Sequence, residues 1–311
     1  MTSFITDEEI SQLITMDTMI PAIEQMFVQQ SKNQATNLPR QHIRGLDGEL
    51  AVMGASLDYE KVFGVKTYTF SKMGYSFHIL LYSTLSGKLL AFIEANRLGQ
   101  LRTGATTAVA VKHLARNTSV TIGMLGTGFQ AMSQIEAVSK VLEIQQIKVY
   151  SRNLENRLAF AHRVSKALSL PVVAVDNYQT VVTDSDLLIS IASNTEPIIP
   201  GQYLHPEALI IAAGPANSGI QELDELAIKS VSHFAVDSLA QADHEAGDIK
   251  FAIDKGFLTW TEVAELQTIV SGKEAWKTMN GISYIKLMGT GLADIAAAKL
   301  AYDTVVKKLE T

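Results

Sequence analysis

The run Thr121-Ile122-Gly123-Met124-Leu125-Gly126-Thr127-Gly128-Phe129-Gln130-Ala131 constrains the fold more than any other stretch of the chain. Residues 120–125 form a short apolar run that reads as a buried parallel strand, and it breaks into the pattern G-x-G-x-x-A. Phe129, Met132, Ile135 and Val138 then recur at the spacing of one helical face. Strand, glycine turn and helix in this order form a dinucleotide fingerprint. Gly126 makes the tight turn, Gly128 lets the backbone approach a pyrophosphate, and Ala131 is small enough for close helix–strand packing. Unpaired N–H groups at the helix start, with the helix dipole, favour phosphate there. A merely structural turn is the competing reading, and the strand before it and the helix after it weigh against that.

A strand–helix alternation continues from Ser119. The second strand, residues 147–150, ends in Ser151-Arg152-Asn153. An acid here would hold a ribose 2′-hydroxyl; Ser151 and Arg152 instead suit a 2′-phosphate, the alternative being a loop arginine in water. Further strands are expected over 172–175, 187–192, 209–213 and 234–237. Ala192 and Asp237 close two of them, where a nicotinamide nucleotide would lie across the sheet, although Asp237 could equally cap the next segment. After Asp248 the chain reads as helical, with one helix over 261–270 and a last one over 293–308. Gly289-Thr290-Gly291 follows no convincing strand and reads as a close-packing turn.

The first third has a different pattern. Thr6 and Glu9 make a capping box before Ile10, so a helix starts near residue 7 and a second covers 16–32. Residues 33–44 are polar and read as loop or edge strand. There Arg40, His42 and Arg44 alternate, and local pattern favours a solvated edge over a substrate contact. Strand-like runs at 49–57, 62–70, 77–84 and 88–95, with a hairpin turn at Leu85-Ser86-Gly87-Lys88, predict an antiparallel sheet. Lys66 shares a face with Tyr68 and Phe70; it is either a snorkelling surface residue or a catalytic acid beside a cleft. His78 by itself reads as a structural histidine. Residues 98–111 form a helix of small side chains, which must pack closely, so Arg102 needs an anionic partner, either a protein carboxylate or a substrate.

At 311 residues two domains are expected, and no cysteine is present, which excludes disulfides and Cys-based metal sites. No metal-ligand cluster is apparent. A net charge of -6 without a dense basic run argues against nucleic acid as a partner. The first residues are acidic and lack a signal peptide's regions. No apolar run approaches the roughly 20 residues that span a bilayer. A cytoplasmic location without membrane association is expected.

Several separated motifs agree on one family. Gly64-Val65-Lys66, Leu101-Arg102-Thr103-Gly104-Ala105-Thr106-Thr107-Ala108, Gly126-Thr127-Gly128-Phe129-Gln130-Ala131, Gln221-Glu222-Leu223-Asp224, Val236-Asp237-Ser238 and Gly289-Thr290-Gly291-Leu292-Ala293-Asp294 together resemble the ornithine cyclodeaminase/mu-crystallin family over nearly the whole length. The resemblance implies an α/β protein. A Rossmann-type doubly wound parallel sheet domain over 116–291 would join an α+β substrate-binding and dimerisation domain over 1–115 plus 292–311. It implies a homodimer. Arg40 and Arg102 would clamp a substrate carboxylate, which raises Arg40 above its local reading, and Lys66 would act at the reacting carbon–nitrogen centre. Thr103 and the turn of Gly126, Thr127, Gly128, Gln130 and Ala131 would contact the cofactor, with Ser151, Arg152, Asn153, Ala192 and Asp237. Cyclodeaminase-like members carry a glutamate where this chain has Ala51 and an aspartate where it has Ala216. Without both bases, multistep amine chemistry is short of proton acceptors. The family's crystallin-like ketimine reductases also lack that aspartate and use NADPH, which matches Ser151 and Arg152, so the resemblance implies NAD(P)H-dependent reduction, by NADPH with NADH possible, of a small cyclic imino acid, Δ1-pyrroline-2-carboxylate to L-proline. His78 is a candidate proton donor acting through water beside Lys66. An ornithine or lysine cyclodeaminase or an alanine dehydrogenase-like enzyme is the alternative enzyme, and a non-catalytic crystallin-like ligand binder the alternative of another class.

Overall fold

The computed structural model describes residues 2–273 and 276–310; Met1 and Thr311, the outer ends of the expected domain segments, lie outside the described residues. Packing divides the chain into two compact units, Met1–Thr106 with Gly289–Thr311, and Thr107–Met288. The boundaries read from sequence lie at 115/116 and 291/292.

The first unit begins with β1 (Ser3–Ile5), α1 (Asp7–Leu13) and α2 (Met16–Gln30). Thr6 accepts from the Glu9 N–H and Glu9 returns the bond to the Thr6 N–H, so the capping box forms as expected. β2 (Ala35–Asn37), β3 (Gln41–Arg44), β4 (Gly48–Leu57), β5 (Val62–Ser71), β6 (Gly74–Ser83) and β7 (Leu89–Glu94) follow, then α3 (Asn96–Leu114). The sheet order is β1-β7-β6-β5-β4-β2, with β3 also on β4; β1 lies parallel to β7 and the other pairs are antiparallel.

The second unit runs β8 (Ser119–Leu125), α4 (Ala131–Val138), β9 (Glu143–Tyr150), α5 (Leu154–Leu168), β10 (Val172–Ala174), α6 (Tyr178–Val182), β11 (Leu187–Ser190), β12 (Leu209–Ala212), α7 (Glu225–Ser230) and β13 (Val231–Val236). It continues through α8 (Leu239–Glu245), α9 (Gly247–Asp254), β14 (Val263–Glu265), α10 (Leu266–Val270) and β15 (Ile282–Lys286). All eight strands are parallel, in the order β10-β9-β8-β11-β12-β15-β13-β14. The order reverses between β8 and β11, the switch point at which doubly wound sheets bind dinucleotides.

Three expectations from the sequence differ from the structure. The chain after Asp248 is not wholly helical: β14 and β15 lie in it, and β15 sits inside the sheet between β12 and β13. Its polar residues hide it from a hydrophobicity reading. Lys286 at its end pairs with Glu222, and the Tyr284 hydroxyl donates to Asp248 Oδ2 at 2.8 Å, so these buried polar groups are satisfied internally. Gly289-Thr290-Gly291 therefore does follow a strand. Phe129, expected on the buried face of α4, is 61% exposed because it belongs to the turn before Ala131.

The last helix, α11 (Gly291–Glu310), returns to the first unit and packs on α2, β4 and β5. Register places Met53 opposite Lys66 and Lys66 opposite Ile79, so Ala51, Met53, Lys66 and Ile79 share the sheet face that α11 covers.

Candidate functional site

The first unit holds a buried charge cluster. Lys66 is 3% exposed, Arg102 8% and Asp294 1%. Asp294 Oδ1 accepts from Lys66 Nζ at 3.0 Å and from Arg102 Nε at 2.7 Å. Arg40 reaches the same region from the β2–β3 connection, with Nη2 donating to the Gly289 carbonyl at 3.1 Å and Nε to Met53 Sδ at 3.5 Å. Two rings line the cluster: Lys66 Nζ lies 5.3 Å from the Phe77 centroid and 5.9 Å from that of Tyr68, and Arg40 Cζ lies 6.0 Å from Tyr68. Such distances suit cation–π attraction.

Local sequence explains why the cluster can form. Arg102 descends from a helix of small residues, and the turn at Gly289 gives its guanidinium room. Gly289 has φ +79°, and a Cβ there would meet Arg102 Nη1 at 2.7 Å. The same turn starts α11 and brings Asp294 in its first turn against β5.

Electrostatics reflect burial and neighbours. Desolvation lowers the Lys66 ammonium to a pKa of about 8, with Arg102 and Arg40 pushing the same way and Asp294 opposing them. Burial alone would raise the Asp294 carboxyl, yet the Arg102 and Lys66 charges hold it below the usual aspartate value. Lys66 is thus a cation that can surrender a proton close to neutral pH.

In the second unit a cavity of about 480 Å³ opens at the switch point. Its lining includes Gly126, Thr127, Gly128, Ser151, Arg152, Asn153 and Ala192. Gly126 has φ +104°, and a Cβ there would meet the Ile191 carbonyl at 2.9 Å, so the turn after β8 packs directly on the segment after β11. Gly128 faces open space. Thr127 Oγ1 donates to Ser151 Oγ at 3.0 Å, tying the glycine turn to the end of β9. Arg157 supports that end from behind: Nη1 donates to the Ser151 carbonyl at 3.1 Å and Nη2 to Asp176 Oδ1 at 3.0 Å. Backbone amides, hydroxyls and an exposed arginine, with no acid after β9, fit the diphosphate and adenosine ribose of a nicotinamide nucleotide.

The structure thus brings Lys66, Arg40 and Arg102 together in one unit and seven of the expected cofactor contacts around one cavity in the other. Thr103, Gln130, Ala131 and Asp237 are not among the cavity's lining residues. The Thr103 hydroxyl donates to the Gly99 carbonyl within α3 at 2.7 Å. Ala131 is buried at the start of α4, Gln130 directly precedes it, and buried Asp237 accepts from the Met288 N–H at 3.2 Å. His78 requires a correction. It pairs with Thr67 and lies on the sheet face opposite Lys66, its ring 5.2 Å from Phe92, so it does not join the cluster. Asp294 is the residue sequence reading missed. Its turn stands out in the sequence, but the burial of Arg102 is the only sign that such a carboxylate has to exist.

The model of the ornithine cyclodeaminase/mu-crystallin family matches residues 1–309. The chain is 30% identical to a Δ1-pyrroline-2-carboxylate reductase of Bacillus cereus over 232 residues, covering 74% of this chain and 71% of the relative. Ketimine reductase mu-crystallin of Rattus norvegicus is 32% identical over 228 residues, 73% of this chain and 68% of that one. Among solved structures, Thermococcus litoralis Δ1-pyrroline-2-carboxylate reductase in complex with NADH and L-proline superimposes with a TM-score of 0.93 at 28% identity, covering 99% of this chain and 98% of that one.

Proposed function

Because the chain belongs to the ornithine cyclodeaminase/mu-crystallin family, we propose that it is an NAD(P)H-dependent reductase of cyclic 2-carboxylate imines, with Δ1-pyrroline-2-carboxylate reduced to L-proline as its reaction. The observation that carries this reading is the burial of two cations, Lys66 and Arg102, on one carboxylate oxygen of Asp294, with half-buried Arg40 beside them against the Gly289 carbonyl. Burying more positive than negative charge is costly unless a ligand anion completes the balance, and an imino acid brings a carboxylate. Arg40 and Arg102 hold that carboxylate and fix the ring, so that the imine carbon is presented in one orientation.

Lys66 supplies the other requirement. An imine accepts a hydride well only when its nitrogen is protonated, and a lysine with a pKa of about 8 stays charged at neutral pH while able to give up a proton. The nicotinamide, when bound, supplies the reducing equivalent. The cyclodeaminase alternative needs further bases. Ala51 stands on the Lys66 face of β4 where that chemistry would call for a glutamate, and Ala216 follows β12 in place of an aspartate.

Ser151 and Arg152 support NADPH as the preferred cofactor, with NADH also accepted, since the relative solved with NADH shares the fold over its full length. A homodimer is proposed on the sheet face away from α11. It carries Phe4 (59% exposed) stacked on Phe92 and Phe63 (40% exposed) stacked on Tyr82, an apolar surface that a second copy would cover. No helix among the described residues is long and apolar enough to cross a membrane, and the absence of cysteine suits the reducing cytoplasm.

The direct test replaces Lys66. Lys66→Ala should bind NADPH normally and lose about 10²–10⁴-fold in turnover of the imine, the span typical of a general acid. Lys66→Arg should not restore activity, because a guanidinium keeps its proton. Full activity in a folded Lys66→Ala variant would refute the mechanism.

A further inference from the structure

We propose that Asp294 is the positioning residue of this site: one carboxylate oxygen holds Lys66 in its ammonium form and fixes the edge from which the Arg102 guanidinium is presented. The proposal rests on the reading of Lys66 and Arg102 as proton donor and carboxylate clamp. Its basis is geometric. Asp294 Oδ1 accepts both bonds, at 3.0 Å from Lys66 Nζ and 2.7 Å from Arg102 Nε, while Oδ2 is buried with no hydrogen-bond partner among the described residues. Using Nε for Asp294 leaves the Arg102 terminal nitrogens directed elsewhere. A carboxylate bound through those nitrogens would meet a guanidinium whose rotation is already fixed.

The charges around Lys66 act on it independently of that angle. The charged or titratable groups facing Lys66 among the described residues are Asp294 from α11, Arg102 from α3, Arg40 from the β2–β3 connection, and the Tyr68 phenol two residues along β5. Two of them are cations that oppose an ammonium, and burial opposes it as well. Asp294 is the one carboxylate that favours it. Without it Lys66 would be neutral over much of the physiological range, and a neutral amine cannot protonate an imine. Asp294 comes to this position through the turn at Gly289 and the start of α11, so the last helix also contributes to the chemistry.

Asp294→Asn separates these effects, because it keeps the size and the acceptor oxygen and removes the charge. Lysine side-chain NMR titration, with Lys66 assigned through Lys66→Ala, reads ionisation without any reaction. The expected result in Asp294→Asn is a Lys66 titration lowered by about one pH unit or more, the shift an opposite charge at this distance produces. The alkaline limb of imine reduction should move down with it and the KM for the imine should rise. A role in folding alone would lower thermal stability and leave the Lys66 titration where it was; that result overturns the proposal. If Asp294→Asn does not fold, Asp294→Glu keeps the charge and moves it by one methylene. Reduced turnover with a displaced alkaline limb then supports the proposal, and wild-type titration and kinetics overturn it. A wild-type protein that reduces no cyclic imine would remove the proposed reaction, while the Lys66 titration would still decide the Asp294 proposal separately.

Discussion

Lys66 joins two physical demands that pull in opposite directions. Burial and two arginines push its proton off, and Asp294 holds it on. The outcome, a pKa of about 8, fixes a pH dependence. The ammonium is the acting form, so kcat/KM should be level below that pH and fall about tenfold per unit above it. A profile flat to pH 10 would exclude Lys66 as the group that keeps the imine protonated. Arg40 should behave differently. A carboxylate clamp binds ground state and transition state alike, so Arg40→Ala should raise KM by more than it lowers kcat; the reverse split would move Arg40 out of the clamp. At the other unit, Arg152→Ala should raise the KM for NADPH by about tenfold or more, the value of one charge-assisted phosphate contact, and spare NADH. Equal effects on both cofactors would remove Arg152 from the 2′-phosphate. Part of this was legible from residues alone. A helix of Gly, Ala and Thr around Arg102 demanded an anion. Its partner was not legible, because 192 positions separate Arg102 from Asp294 and no local periodicity links them. His78 failed for a related reason. Alternation within β6 assigns it a face, but only the pairing of Thr67 with His78 says that this face is not the one Lys66 occupies.

Among the elements, α11 and β15 were hardest to read in the right role. β15 carries Ser283 and Lys286 in a five-residue strand, so no apolar run announced it, although every one of its residues is buried. Hydrogen-bonded partners elsewhere in the fold permit that burial. The antiparallel strands of the first unit were legible because their sheet has one covered and one half-exposed face, which imposes alternation. The fingerprint after β8 was legible because close backbone packing at Gly126 leaves few other residues possible. The turn that begins α11 gives a prediction at this scale. Gly289→Ala places a Cβ against Arg102 at a backbone angle that costs on the order of 1 kcal/mol or more in a non-glycine residue. It should lower the melting temperature slightly and raise the KM for the imine with little change in NADPH binding. An unchanged KM would mean that Arg102 does not need the space Gly289 leaves.

Over the whole molecule, two compact units carry the two halves of the proposed chemistry: an eight-stranded parallel sheet with its cavity at the switch point, and a seven-stranded sheet whose covered face carries Lys66. Sedimentation should give a dimer, with Phe4→Asp shifting it towards monomer; a monomeric wild type would leave the aromatic sheet face without the proposed partner. Absorbance of the reduced nicotinamide shows directly which reaction the protein performs. Δ1-pyrroline-2-carboxylate with NADPH is compared with ornithine and NAD under ammonia detection. Rapid NADPH oxidation that depends on the imine, with little ammonia from ornithine, is the expected result. Brisk ammonia release from ornithine without added imine would contradict it.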